Sequence, residues 1–85
     1  MAAERVLVVD DEAAIVNVVA EALRLSGYEP VGVGSAEAAL ERLAEQKFDL
    51  VVTDVMMPGL SGLELLRRIR VAEPNVVVVV VTGKA

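Results

Sequence analysis

Three carboxylates fall at the ends of apolar runs: Asp10 and Asp11 after Val6-Leu7-Val8-Val9, and Asp54 after Leu50-Val51-Val52-Thr53. Thr82 closes a third such run, Val76–Val81. The sequence contains no His and no Cys. That removes imidazole ligands, His-based general acid–base catalysis, thiolate metal sites and disulfides. Chemistry must then come from carboxylates, hydroxyls, lysines and the backbone. Three like charges brought together repel one another, and a divalent cation removes the conflict. An oxygen-only ligand set favours a hard ion such as Mg²⁺, which keeps several of its waters. A carboxylate beside Mg²⁺ can attack a phosphoryl group, because the metal offsets the charge on the transferring oxygens. A hydroxyl in the position of Thr82 could hydrogen-bond one of those oxygens.

This chemistry requires the three strand ends to meet. The chain alternates between the two hydrophobic periods. Arg5–Asp10 is a short β-rich run and Asp11–Ser26 is helical, with Ile15, Val19, Ala22 and Leu23 on one stripe and Asn17, Glu21 and Arg24 on the other. Gly27 follows as a C′ residue in left-handed geometry. Tyr28–Val33 is a second strand. Ser35 is placed to N-cap a helix over Ala36–Lys47, whose apolar stripe is Ala36, Ala39, Leu40 and Leu43. Asp49–Asp54 is the third strand, and a Pro/Gly loop, Met56–Leu60, interrupts the chain after it. Ser61 and Glu64 have capping-box spacing for a helix running to about Val71, with Gly62, Leu65, Leu66 and Ile69 inward. Pro74 and Asn75 make a turn, and Val76–Val81 is the fourth strand.

The order β-α-β-α-β-α-β predicts parallel strands joined by right-handed helical crossovers. Consecutive apolar residues in the strands predict burial on both faces, hence a three-layer α/β sandwich. Val16, Val18 and Leu25 widen the apolar surface of the first helix and read as core or as a contact surface. Ligands of such sheets bind beyond the carboxyl ends of the strands, near a switch in strand order. If the first and third strands are neighbours, Asp10, Asp11 and Asp54 converge there.

The bulk properties agree with one small domain. The chain has 85 residues, 55% hydrophobic and 2% aromatic, which implies an aliphatic core. Its net charge of −5 disfavours direct nucleic-acid binding. No long apolar h-region follows the N-terminus, and the valine run is too short to span a bilayer as a helix, so a cytoplasmic protein with no membrane partner is expected.

The segments V-L-V-V-D-D-E (6–12), L-V-V-T-D-V-M-M-P-G-L-S-G-L-E-L-L (50–66) and V-V-V-V-T-G (78–83) together resemble the receiver domain of two-component response regulators. The D-x-M-M-P-x-x-x-G segment is the most specific of these. The resemblance implies a flavodoxin-like sheet of order 2-1-3-4 and a non-enzymatic signalling module, phosphorylated on an aspartate by a sensor histidine kinase with Mg²⁺. It implies that Asp54 is the phosphoacceptor. Asp11, Asp54 and the backbone carbonyl of Met56 would hold Mg²⁺, with Asp10 completing the acid pocket through water. Thr82 would be the switch hydroxyl, and Pro58 and Gly62 would shape the loop.

The resemblance also implies a fourth helix, a fifth strand and a fifth helix after the Thr, whereas Gly83, Lys84 and Ala85 are the residues that follow Thr82 in this sequence. The family lysine of the fifth strand has no counterpart, and Lys84 reads as a solvated terminal charge. On this reading residues 1–85 form a shortened receiver domain. Its valine-rich fourth strand becomes an edge, which predicts a homo-oligomer formed through that strand.

Plain structural roles exist for each residue taken singly. Asp54 could cap the next turn, Asp10 and Asp11 could favour a helix N-terminus, and Thr82 could be an ordinary β-branched strand residue. Their joint register argues for the chemical reading. Two other readings stand beside it. One is a non-signalling assembly or interaction fragment with a relic acid pocket. The other is a hydrolase of the haloacid type, disfavoured because Met56 occupies the position where that chemistry wants an acid.

Overall fold

The computed structural model describes residues 3–81. Four five-residue strands, β1 (Arg5–Val9), β2 (Glu29–Val33), β3 (Leu50–Asp54) and β4 (Val77–Val81), alternate with three helices, α1 (Ala13–Leu25), α2 (Ala36–Glu45) and α3 (Gly62–Ala72). All strand pairs are parallel, in the order β2-β1-β3-β4, which is the predicted α/β architecture. The chain leaves β1 in one direction to build β2, then returns across β1 to build β3 on the other side. Right-handed crossovers in opposite directions place their helices on opposite faces. Val16 of α1 accordingly packs on Gly32, on one face of β2, while Val31 and Val33 point to the other face and join the core beneath α2 and α3.

Local chemistry explains the element ends. Ser35 and Ser61 cap α2 and α3, their Oγ atoms accepting from Ala38 N–H at 3.0 Å and Glu64 N–H at 3.2 Å. The predicted capping box at Ser61 is half formed, because the Glu64 carboxylate turns outward to Arg67 and Arg68. Gly27 follows α1 with φ of 95°, the left-handed C′ geometry expected of it. The amino end of β1 is locked to β3 by a reciprocal pair: Arg5 N–H donates to Asp49 Oδ2 and Asp49 N–H donates to the Arg5 carbonyl, both at 2.9 Å.

The two faces of the sheet are buried unequally. Under α2 and α3 lies a closed core of Leu7, Val9, Ala36, Ala39, Phe48, Val51, Met57, Leu65, Ile69 and Val76. Leu66, predicted inward with its neighbours on α3, is half-buried. The α1 face is thinner, and no residue of α1 is fully buried. The predicted stripe of α1 requires correction. Val16, Val19, Ala20 and Leu23 are its half-buried residues, while Ile15 and Ala22 are exposed. Val18 and Leu25 are surface residues, 68% and 79% exposed. The stripe is rotated because α1 leans toward β2 and β1, leaving its opposite flank uncovered among the described residues.

β4 also departs from the expectation of burial on both faces. Val78 and Val80 are half-buried, while Val77, Val79 and Val81 are 56%, 41% and 45% exposed. These three point to the α1 face, and α1 does not reach that far. No helix among the described residues is long and apolar enough to cross a membrane.

The closed core should carry most of the stability. Leu65, fully buried in it, should on replacement by Ala cost about 3 kcal/mol in urea unfolding. Leu63→Ala, on the exposed side of the same helix, should stay within about 0.5 kcal/mol of the parent.

Candidate functional site

The register of the central strands makes the site. Val9 of β1 lies opposite Thr53 of β3 and also opposite Val33 of β2. The residues that follow on the two central strands, Asp10 and Asp54, are therefore neighbours at the carboxyl edge of the sheet. β1 and β3 are the strands between which the connections reverse direction, the position where open α/β sheets leave a crevice. Asp10, Asp11 and Asp54 each present a carboxylate oxygen there, all within 4.8 Å of one another. Asp10 and Asp54 are nearly buried, 8% and 9% exposed, while Asp11 is exposed.

Backbone hydrogen bonds aim these side chains. The Asp10 N–H donates to the Val33 carbonyl at 3.2 Å, and Asp10 Oδ1 accepts from Glu12 N–H at 2.9 Å. That second bond turns the chain into α1, whose N-cap residue Glu12 makes no side-chain cap of its own. It also explains why α1 starts at Ala13 and not at Asp11. Asp54 is held from both sides: Thr53 Oγ1 donates to its carbonyl at 3.1 Å, and Met56 N–H donates to its Oδ1 at 3.4 Å. On the far side, Asp54 is in register with Val81.

No Lys or Arg among the described residues forms an ion pair with any of the three carboxylates. The Asp10 and Asp54 carboxylates, brought this close, repel one another when both are charged. Hydrogen bonds from two backbone amides offset only part of that. Three oxygen donors converging without a cation, two of them nearly dry, are the donor chemistry of a hard divalent cation. The residues present fit Mg²⁺. Beside the cluster, a cleft of about 210 Å³ opens between α1 and the end of β2, lined by Asp10, Asp11, Val16, Asn17 and Gly34.

The loop after β3 leads from Asp54 to α3. Met57 is buried in the core while the side chain of Met56 is 74% exposed, so the loop is pinned at one residue and open at the next. Gly62 begins α3 directly against the backbone of Asp54. A Cβ there would be driven into the Asp54 carbonyl oxygen and would come within 3.1 Å of Val55 Cα. Gly62 therefore permits close packing of the helix on the strand end as well as loop shape. Pro58 lies exposed in the same loop.

The structure thus brings together Asp10, Asp11, Asp54, Met56 and Gly62. Thr82 and Lys84 lie outside the described residues. Sequence reasoning assigned no role to Glu37 or Gly59, which meet at this loop: Glu37 Oε2 accepts from Leu60 N–H at 3.4 Å. A glutamate on the polar side of a helix carries no signal of its own, whereas Gly59 sits in a Pro-Gly pair that marks a turn.

The match to known proteins runs along nearly the whole chain. Residues 6–85 fit the family model described as the response regulator receiver domain. The chain belongs to this family. It is 45% identical over 81 residues to the response regulator protein FleR of Pseudomonas aeruginosa, covering 95% of this chain and 17% of that protein. It is 39% identical over 79 residues to the probable transcriptional regulatory protein TcrX of Mycobacterium tuberculosis, covering 93% and 34%. The receiver domain therefore spans only a small part of those curated relatives. Among solved structures, a response regulator receiver protein from Pseudomonas putida superposes with a TM-score of 0.92 at 38% identity, covering all of this chain and 72% of that one. The response regulator TrrA of Thermotoga maritima, solved in complex with Mg²⁺-BeF, superposes with a TM-score of 0.91 at 36% identity, covering 96% and 71%.

The close approach of Gly62 to Asp54 makes a specific test of the site. Gly62→Ala should destabilise the receiver domain by about 1–3 kcal/mol and weaken Mg²⁺ binding roughly tenfold. Gly34→Ala, where a Cβ meets open space, should leave both within error. Circular dichroism melts and calorimetric Mg²⁺ titration check the pair.

Proposed function

We propose that this receiver domain accepts a phosphoryl group on Asp54 from a sensor histidine kinase, with Mg²⁺ held in the acid pocket. The observation that carries the reading is the convergence of three carboxylates, unpaired by any described cationic side chain, at the strand ends of a receiver fold. Asp11, Asp54 and the Met56 carbonyl would hold the cation, with Asp10 completing the pocket through water. When bound, Mg²⁺ offsets the negative charge of the pocket and of the transferring phosphoryl oxygens.

The chain's own residues supply position. Asp54 Oδ attacks the phosphorus, a P–O bond forms, the P–N bond of the phosphohistidine breaks, and its electron pair stays on the imidazole nitrogen, which takes up a proton. The Met56 N–H, already directed at Asp54 Oδ1, orients the carboxylate for that attack. The Thr82 hydroxyl is assigned to a phosphoryl oxygen, and Pro58 and Gly62 to the shape of the loop. The role is that of a cytoplasmic signalling module and not an enzyme with turnover on a free substrate. That the related TrrA was solved in complex with Mg²⁺-BeF supports the Mg²⁺ reading.

A second proposal concerns association. β4 is an edge strand among the described residues, and Val77, Val79 and Val81 expose apolar surface beside it. We propose that the 85-residue chain self-associates through this strand, since an uncharged valine edge is a template for pairing.

Two measurements test these readings. Intact mass after incubation with Mg²⁺ and a small phosphoramidate donor should show one phosphoryl adduct. Asp54→Asn should abolish it, and Asp11→Asn should slow its formation at least roughly tenfold. A folded parent protein that takes up no phosphoryl group would favour the interaction-fragment reading instead. Size-exclusion chromatography with light scattering at micromolar concentration should show a dimer or larger species, reduced toward monomer by Val79→Lys. A stable parent monomer rules out the association.

A further inference from the structure

Glu37 lies on the first turn of α2, outside the acid cluster, yet its carboxylate reaches the loop that follows Asp54. Oε2 accepts from Leu60 N–H at 3.4 Å, and it stands 3.2 Å from where a Cβ of Gly59 would be. At 3.4 Å the hydrogen bond is longer than the usual range and is a modest restraint alone. Gly59 is the second observation. Its φ of 78° turns the backbone into the left-handed region, and a Cβ there would press on the carboxylate at 3.2 Å. Hydrogen bond and turn conformation are thus fitted to the same carboxylate.

The loop is also held at its ends and by packing: Val55 N–H donates to the Val81 carbonyl at 3.1 Å, Gly62 N–H donates to the Val55 carbonyl at 3.0 Å, and the half-buried Leu60 side chain packs against the core. Among the described residues from Met56 to Ser61, the Leu60 N–H is the one amide bonded to another element of the fold. The Met56 amide bonds to Asp54, at the loop's own start. Met57 is fixed by burial. It therefore acts as a pivot, with Met56 and the cation pocket on one side and Leu60 on the other. A hydrogen bond that holds Leu60 limits rotation of the loop about that pivot. α2 is itself a firm support, because Ser35 caps it and Ala36 and Ala39 are buried in the core.

We propose that Glu37 is a positioning residue for the cation site: its carboxylate holds the Gly59–Leu60 peptide and so sets where the Met56 carbonyl stands. The inference rests on the reading of the acid pocket as a Mg²⁺ site. Mg²⁺ tolerates little departure from octahedral geometry, so a loosened carbonyl ligand costs affinity. Loss of one solvent-exposed hydrogen bond of this kind corresponds to about a threefold change.

The variants separate reach from charge. Glu37→Gln keeps an acceptor oxygen at the same reach and loses the charge. Glu37→Asp keeps the charge near the start of α2 but is one methylene too short. Mg²⁺ affinity would be measured by calorimetry, and phosphorylation rates at low and saturating Mg²⁺ by intact mass, with melts in the absence of Mg²⁺. Positioning predicts that Asp and Ala variants bind Mg²⁺ about threefold more weakly and react more slowly only at low Mg²⁺, while Gln behaves as the parent. A Gln variant that is weakened while Asp is not would assign the effect to charge and overturn the proposal. Affinity losses that merely follow the melting temperatures would overturn it as well. Unchanged Asp and Ala variants of a Mg²⁺-binding parent overturn the positioning role alone. A parent that binds no Mg²⁺ overturns the pocket reading and this inference together.

Discussion

The β1–β3 register is the constraint on which the rest depends. Placing Val9 opposite Thr53 puts Asp10 beside Asp54, and a slip of one residue would send every side chain of β3 to the other face of the sheet. The register is secured at the far end by the reciprocal Arg5–Asp49 hydrogen bonds and along its length by Leu7, Val9 and Val51 in the closed core. Hydrophobic packing and backbone pairing thus hold two carboxylates together against their mutual repulsion. That repulsion is what makes a cation at this edge favourable. The pocket is a consequence of where the strands must stop, and its chemistry follows from which residues stand at those stops.

The two faces of the sheet divide the work. The α2/α3 face is packed and supplies the rigidity that the site needs. Met57 belongs to that core, Gly62 lets α3 press against Asp54, and Ser35 and Ser61 fix the helix starts that border the site. The α1 face carries far less burial. Ile15, Val18 and Leu25 on the helix and Val77, Val79 and Val81 on β4 present an uncovered apolar band. The packed face braces the strand ends, while the acid residues themselves open toward the α1 side, where Asp54 is in register with the exposed Val81.

Much of this was legible in the residues. The strand-helix alternation follows from short-range patterns, the sheet order is what the family resemblance implies, and the meeting of Asp10, Asp11 and Asp54 follows once β1 and β3 are neighbours. Burial was less legible. The valines of β4 and the stripe of α1 carry a tendency to be buried, but burial itself depends on which neighbour arrives, and α1 leans toward β2 and β1. The start of α1 shifted to Ala13 because Asp10 Oδ1 accepts from Glu12 N–H, a contact invisible to periodicity. The Ser61–Glu64 spacing was read as a full capping box, but two arginines one turn on compete for the glutamate. Glu37 was illegible for a different reason: its partner is a backbone amide far along the chain.

The site therefore joins a rigid half and a compliant half. Asp10 and Asp54 ride on paired strands whose spacing is set by backbone hydrogen bonding, and they can adjust little. Met56 rides on a loop pinned at Met57 and touched at Leu60, and it can adjust more. If the pocket holds a cation as proposed, discrimination between divalent ions would fall to the loop half, since the strand half presents the same charge to any of them. Ca²⁺ accepts longer and more varied oxygen distances than Mg²⁺, so a slack loop would admit both and a braced loop would favour the smaller ion. On the proposed reading, the selectivity of a pocket made almost entirely of aspartates would depend on residues that carry no ligand atom, and on how firmly α2 and α3 hold the chain between Asp54 and Gly62.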